Sequence, residues 1–161
     1  MSSRKASAAD VLQRLRAAGL TLCTAESCTG GLLGKLLTDV SGASSVYVGG
    51  VISYTNEVKH RLLGVSRQTL ARYTAVSAET AGEMARCARA QLGADIAVSV
   101  TGLAGPDGDG TGRAPGLVYI ALDRAAGCLV QELHLAGDRA AIREQAAHAV
   151  FALILETLSE P

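Results

Sequence analysis

Three stretches of the chain gather the residue types that bond breaking and anion binding need: Thr24–Gly31, Gly42–Lys59 and Thr101–Gly116. The first holds Thr24, Ser27 and Thr29 beside the pair Gly30-Gly31. A glycine-rich turn that opens a helix presents backbone N–H groups to an anion, so Thr29, Gly30 and Gly31 are candidates for holding a phosphate. The bland alternatives are close helix–strand packing at the two glycines and a Glu26 carboxylate resting on the helix start. The second stretch holds Ser44, Ser45, Tyr54 and Lys59, and the third begins with Thr101 and Gly102. A serine hydroxyl is a weak nucleophile alone and needs a base. A lysine can be that base only if burial or a positive neighbour lowers its pKa from ~10.4 toward neutrality. Lys59 follows an apolar run and precedes His60 and Arg61, which are plausible causes of such a shift.

Other chemistries find little support. Gly30-Gly31-Leu32-Leu33-Gly34-Lys35 has the wrong spacing for a P-loop. Gly108-Asp109-Gly110-Thr111-Gly112 is not followed promptly by a helix, so a dinucleotide fingerprint fails. The same stretch opens like a calcium loop, but Val118 stands where a bidentate Glu is required. His60, His134 and His148 are scattered, and Cys23, Cys28, Cys87 and Cys128 form no C-x-x-C. No metal site and no cofactor are expected.

The elements that must position these residues alternate. Ser7 and Asp10 suggest a variant capping box for a helix ending at Gly19. A strand over 20–25 leads through the glycine turn into a helix marked by Leu32, Leu33, Leu36 and Leu37. A loop over 39–45 precedes a strand over 46–54, then two short helices over 55–63 and 66–73. Ser77 caps a longer helix, 95–101 is a strand, and 116–122 with 128–135 forms a hairpin. Asp138 caps a last helix running to about Thr157. This order predicts an α/β fold, a three-layer α/β/α sandwich with a mixed, mostly parallel sheet of about five strands. Ligands should bind in loops at the strand ends.

With 161 residues the chain fits one domain, with residues 1–6 as a flexible tail. It carries 15 Lys and Arg against 15 Asp and Glu. A neutral chain with one Phe and no Trp argues against nucleic-acid binding. No apolar run approaches the ~18–20 residues of a membrane span. Met1–Asp10 is polar and lacks a signal-peptide core, so a cytoplasmic protein with reduced thiols is expected.

Taken together, the motifs resemble the CinA C-terminal domain family, whose standalone members are nicotinamide-nucleotide amidohydrolases (PncC). The resemblance rests on Thr24-Ala25-Glu26-Ser27-Cys28-Thr29-Gly30-Gly31, Asp39-Val40-Ser41-Gly42-Ala43-Ser44, Gly49-Gly50-Val51, Tyr54-Thr55-Asn56-Glu57-Val58-Lys59, Ala75-Val76-Ser77, Thr101-Gly102-Leu103-Ala104-Gly105-Pro106-Asp107-Gly108 and Gly137-Asp138-Arg139. It covers roughly residues 8–157. It implies hydrolysis of the carboxamide of nicotinamide mononucleotide to nicotinate mononucleotide and ammonia. By alignment it makes Ser44 the nucleophile (with Ser45 one residue away), Lys59 the base and Tyr54 its neighbour. Ser27, Thr29, Gly30, Gly31, Asn56, Thr101, Gly102 and Arg139 become substrate-binding positions. A small nucleotide is the implied partner, and a homo-oligomer the implied assembly. The chain departs from the family pattern at Arg113-Ala114-Pro115-Gly116, where Lys-Pro-Val-Gly is usual. It departs again at Thr74, where glycine is common, and at Ala43, a frequent serine. The competing functions are a non-catalytic nucleotide-binding or interaction domain tied to competence or DNA damage, and an amidase for another small amide.

Overall fold

In the computed structural model, which describes residues 4–160, the first helix begins as its sequence requires. Ser7 Oγ accepts from the Asp10 N–H at 3.2 Å, and the Asp10 carboxylate accepts from the Ser7 N–H at 3.3 Å. This capping box starts α1 (Ala8–Ala18), and Gly19 at φ +68° ends it. The expected tail over 1–6 lies partly outside the described residues. Within them, the Ala6 carbonyl is already tied to His148 Nδ1 at 3.0 Å.

The remaining elements are β1 (Leu22–Glu26), α2 (Leu32–Thr38), a 3-10 turn at Ala43–Ser45, β2 (Tyr47–Ile52) and α3 (Asn56–Val58). There follow a π-helical turn at Lys59–Leu63, α4 (Arg67–Tyr73), α5 (Ala78–Leu92), β3 (Ile96–Gly102), β4 (Leu117–Arg124), β5 (Gly127–His134) and α6 (Arg139–Ser159). The segment expected as one short helix over 55–63 is thus split. The loop over 39–45 carries a helical turn of its own.

The sheet order is β2-β1-β3-β4-β5. β1 pairs in parallel with both β2 and β3, while β3 with β4 and β4 with β5 are antiparallel. The sheet is therefore evenly divided rather than mostly parallel. The reason is the hairpin, which adds two antiparallel pairs to a three-strand parallel core. β1 is the middle strand of the parallel trio, and all five of its residues are buried, as a strand covered on both faces must be. One face carries α1, α2 and α6, with Leu12, Leu15, Leu33, Phe151 and Ile154 in its core. The other carries α4 and α5, with Leu70 and Met84 against Cys23 and Ala97.

Parallel register decides where a site can form. Glu26 lies opposite Ile52 on one side and Val100 on the other. The residues just past β1, β2 and β3 therefore emerge together at one edge of the sheet. The long connection from β3 to β4 leaves and returns at that same edge, since Gly102 lies opposite Val118. The Ala43–Ser45 turn instead feeds the start of β2, where Tyr47 lies opposite Leu22.

Candidate active site

Ser27 follows β1 directly, and its N–H donates to the Val100 carbonyl at 3.0 Å. Its side chain is 7% exposed. Lys59 reaches it from the turn after β2. Thr55 Oγ1 caps α3 by accepting from the Val58 N–H at 3.3 Å, and the helix then widens into the π turn that begins at Lys59. Such turns shift side chains off the regular helical face and recur at functional sites. Here the shift turns a lysine inward, leaving it 1% exposed.

The Lys59 ammonium donates to Ser27 Oγ at 2.9 Å, the Ser53 carbonyl at 2.8 Å and the Tyr54 carbonyl at 3.3 Å. All three acceptors are neutral, and among the described residues no carboxylate pairs with the ammonium. Burial lowers the Lys59 pKa from 10.5 to about 8. Near neutral pH a fraction of the lysine is then unprotonated, with its lone pair within reach of the Ser27 hydroxyl. A buried amine paired with a serine hydroxyl can take and return the serine's proton. Cys28, the next residue, also lines the cavity, but burial raises its thiol pKa to about 11. It stays a thiol rather than a thiolate nucleophile.

The cavity has a volume of about 240 Å³ and is lined by the glycine-rich loop as well as by Ser27, Lys59, Tyr54, Thr101, Gly102 and Arg139. That is below the ~300–1,000 Å³ of drug-sized pockets, so a bound ligand larger than one ring extends into the mouth. Arg139, on the first turn of α6, bridges this mouth. Its Nη1 donates to the Gly105 carbonyl at 2.7 Å and its Nη2 to the Tyr54 hydroxyl at 3.0 Å. The guanidinium retains N–H donors beyond these two. Tyr54 is 59% exposed, so its phenol belongs to the mouth while its carbonyl holds Lys59. Thr101 Oγ1 donates to the Ala75 carbonyl at 2.7 Å and fixes the wall opposite the loop. At Gly102 an added Cβ would lie 2.6 Å from Val118 Cγ2, so the backbone there passes where a side chain cannot.

Six expected positions are not brought here as anticipated. Ser44 is exposed in the 3-10 turn at the opposite edge of the sheet, separated from Ser27 by the length of β1, roughly 13 Å at 3.3 Å per residue. Ser45 is no nearer, and its Oγ accepts from Arg16 Nε at 3.2 Å. Asn56 is exposed and faces a separate hollow beside Arg67 and Leu70. Thr29-Gly30-Gly31 does form an anion site at the start of α2, but the anion is internal. The Glu26 carboxylate, on a residue 2% exposed, accepts from Gly31 N at 3.2 Å, Leu33 N at 2.9 Å and Gly34 N at 3.2 Å. Gly30 and Gly31, at φ +57° and +104°, make the turn that permits this. Gly30 N donates to the Ser27 carbonyl, and Thr29 Oγ1 is buried with no hydrogen-bond partner among the described residues.

One residue absent from the expectations belongs with the site. Arg143 donates from Nε to the Cys28 carbonyl at 3.0 Å and from Nη2 to the Thr29 carbonyl at 2.8 Å, clamping the turn that carries Ser27. The available signal was its helical spacing from Arg139, four residues along one face of α6. Among the described residues no group of three or more His, Cys, Asp or Glu is placed to hold a metal ion. No helix among them is long and apolar enough to cross a membrane.

Comparison with known proteins agrees with this architecture. The CinA C-terminal domain matches residues 4–158. A CinA-like protein of Geobacter sulfurreducens is 51% identical over 133 residues, 83% of this chain and 32% of the relative. A CinA-like protein of Syntrophomonas wolfei is 48% identical over 136 residues, 84% of this chain and 33% of the relative. The chain thus spans about a third of the length of these curated relatives. Among solved structures, a competence-damaged protein (CinA) superfamily member from Klebsiella pneumoniae superposes with TM-score 0.92 at 35% identity, covering 94% of this chain and 95% of that one. The corresponding Escherichia coli protein gives 0.91 at 33% identity, covering 98% and 94%. With the profile spanning nearly the whole chain and the fold matched end to end, this protein belongs to the CinA C-terminal domain family.

Proposed function

We propose that the chain is a nicotinamide-nucleotide amidohydrolase that uses Ser27 as nucleophile and Lys59 as general base, with nicotinamide mononucleotide as substrate. The observation that carries this reading is the 2.9 Å contact between Lys59 Nζ and Ser27 Oγ, made by a lysine that is fully buried. Ser27 takes the role that alignment gives to Ser44, because only Ser27 is within reach of the base.

The chemistry follows from that pair. Neutral Lys59 accepts the Ser27 proton as Oγ bonds to the carboxamide carbon. The tetrahedral intermediate collapses as Lys59 gives the proton to the departing nitrogen, and ammonia leaves. Water then attacks the acyl-serine ester with Lys59 again accepting a proton. Return of that proton to Ser27 Oγ releases the carboxylic acid and the free enzyme. Arg139, with donors left over at the mouth, is suited to the nucleotide phosphate.

The test is ammonia release from nicotinamide mononucleotide in the presence of chelator. Ser27→Ala and Lys59→Met are each expected to lose at least about 10³-fold in kcat with the fold retained. Ser44→Ala is expected to stay within about twofold of the parent, as a surface change away from the site. Failure of the folded parent to release ammonia would return the chain to a nucleotide-binding role without turnover. Loss in Ser44→Ala but not in Ser27→Ala would reverse the assignment of the serine.

A further inference from the structure

The cavity lies between two walls. One is the glycine-rich loop, which contributes Gly105, Asp107, Gly108 and Asp109. The other is the turn between α4 and α5, which contributes Ala75 and Val76. Arg113 spans the gap. On the loop side its Nη2 donates to Asp109 Oδ2 at 3.0 Å and its Nε to Thr111 Oγ1 at 2.9 Å. On the turn side its Nη1 donates to the Val76 carbonyl at 2.5 Å and its Nη2 to Thr74 Oγ1 at 3.1 Å.

The turn is built to receive it. Thr74 sits at φ +68°, the one non-glycine residue with positive φ among the described residues. A β-branched residue there is strained and persists only when its surroundings over-determine it. They do. The Thr74 carbonyl accepts from Ser77 Oγ at 3.2 Å and Thr80 Oγ1 at 2.6 Å, and its N–H donates to the Leu70 carbonyl at 3.1 Å. Its hydroxyl also faces the Val76 carbonyl at 3.4 Å, so Arg113 meets a rigid pair of acceptors.

We propose that Arg113 is a positioning residue that sets the width of the cavity by strapping the glycine-rich loop to the α4–α5 turn, and thereby controls how tightly a ligand is held without taking part in bond breaking. The guanidinium spreads its donors over both walls, with Nη1 and Nη2 on the turn and Nε and Nη2 on the loop, and a single lysine ammonium reproduces that spread only in part. The kinetic part rests on the amidohydrolase reading above, whereas the mechanical part does not.

The experiment compares the parent, Arg113→Ala and Arg113→Lys. The backbone amides of Gly105 and Gly108 are followed by nitrogen relaxation, and nicotinamide mononucleotide turnover by steady-state kinetics. In Arg113→Ala the amide order parameters are expected to fall from ~0.85 to below ~0.6. KM is expected to rise about tenfold or more while kcat stays within about twofold, with Arg113→Lys in between. Added methylguanidinium is expected to recover part of the KM loss in Arg113→Ala. Unchanged order parameters overturn the strap, whether or not the parent hydrolyses the nucleotide. A looser loop with unchanged KM, or a lowered melting temperature with both unchanged, overturns the positioning role. A parent that binds and hydrolyses nothing removes the amidohydrolase reading and leaves the relaxation data to decide the strap.

Discussion

At Lys59 one side chain joins stability to reactivity. The folded protein holds the ammonium at about 8 against 10.5 for an exposed lysine. Between those pH values the unfolded chain keeps a proton that the folded chain has released. Unfolding free energy therefore rises with pH across that window, and the penalty of the buried charge is fully present below pH 8. The shift corresponds to about 3 kcal/mol. Urea denaturation from pH 7.5 to 10.5 is expected to stabilise the parent by about that much relative to Lys59→Met. The same titration governs the proposed reaction. kcat is expected to climb with pH and level off above about 8, the range in which Lys59 becomes a base. A flat profile from pH 6 to 9 would detach this lysine from proton transfer.

Among the elements, α2 shows how a sequence signal can be sound while its use is misassigned. The glycine turn and helix start do form an anion hole, and the carboxylate of Glu26 fills it from the end of β1. This ties strand to helix and holds the turn that carries Ser27. Glu26→Gln keeps one oxygen acceptor but loses the charge that favours the helix N-terminus. It is expected to destabilise the fold by about 1–2 kcal/mol in denaturant titrations. β2 carries a second device. At Gly50 an added Cβ would collide with Thr24 Oγ1 and lie 2.7 Å from Tyr47 Oη. Only a bare backbone leaves room for the 2.8 Å hydrogen bond between those two hydroxyls. Gly50→Ala is expected to lower stability by about 1–3 kcal/mol, the usual range for overpacking, read from the shift in urea midpoint.

Over the whole molecule, the site is assembled from segments that meet only when the chain is folded throughout. Arg143 holds the Cys28 carbonyl across 115 residues of sequence, and Arg139 holds the Tyr54 hydroxyl across 85. Removing the clamp in Arg143→Ala is expected to lower kcat about tenfold or more with little change in KM, because the turn bearing Ser27 loosens while the mouth keeps Arg139. Steady-state kinetics on the folded variant separates the two parameters.

The sequence by itself determined the element order, most caps and the family, because these depend on local periodicity, on single residues such as Ser7, Ser77 and Asp138, and on contiguous motifs. It also marked Lys59, Ser27, Tyr54, Thr101 and Arg139, all of which meet at one cavity. What it did not contain was which serine meets the lysine. Ser44 and Ser27 are both turn serines next to strands, and their local patterns do not distinguish them. The parallel pairing of β1 with β2 does. It sends the end of β1 and the end of β2 to the same edge of the sheet and leaves the start of β2, with Ser44, at the other. Likewise, Glu26 and Gly30-Gly31 were visible as an acid and a glycine turn, but whether the helix start would hold a ligand or its own carboxylate depended on the strand ending within reach. The tertiary structure decided these points because strand direction and register are long-range properties, set by which faces must be buried rather than by any one segment.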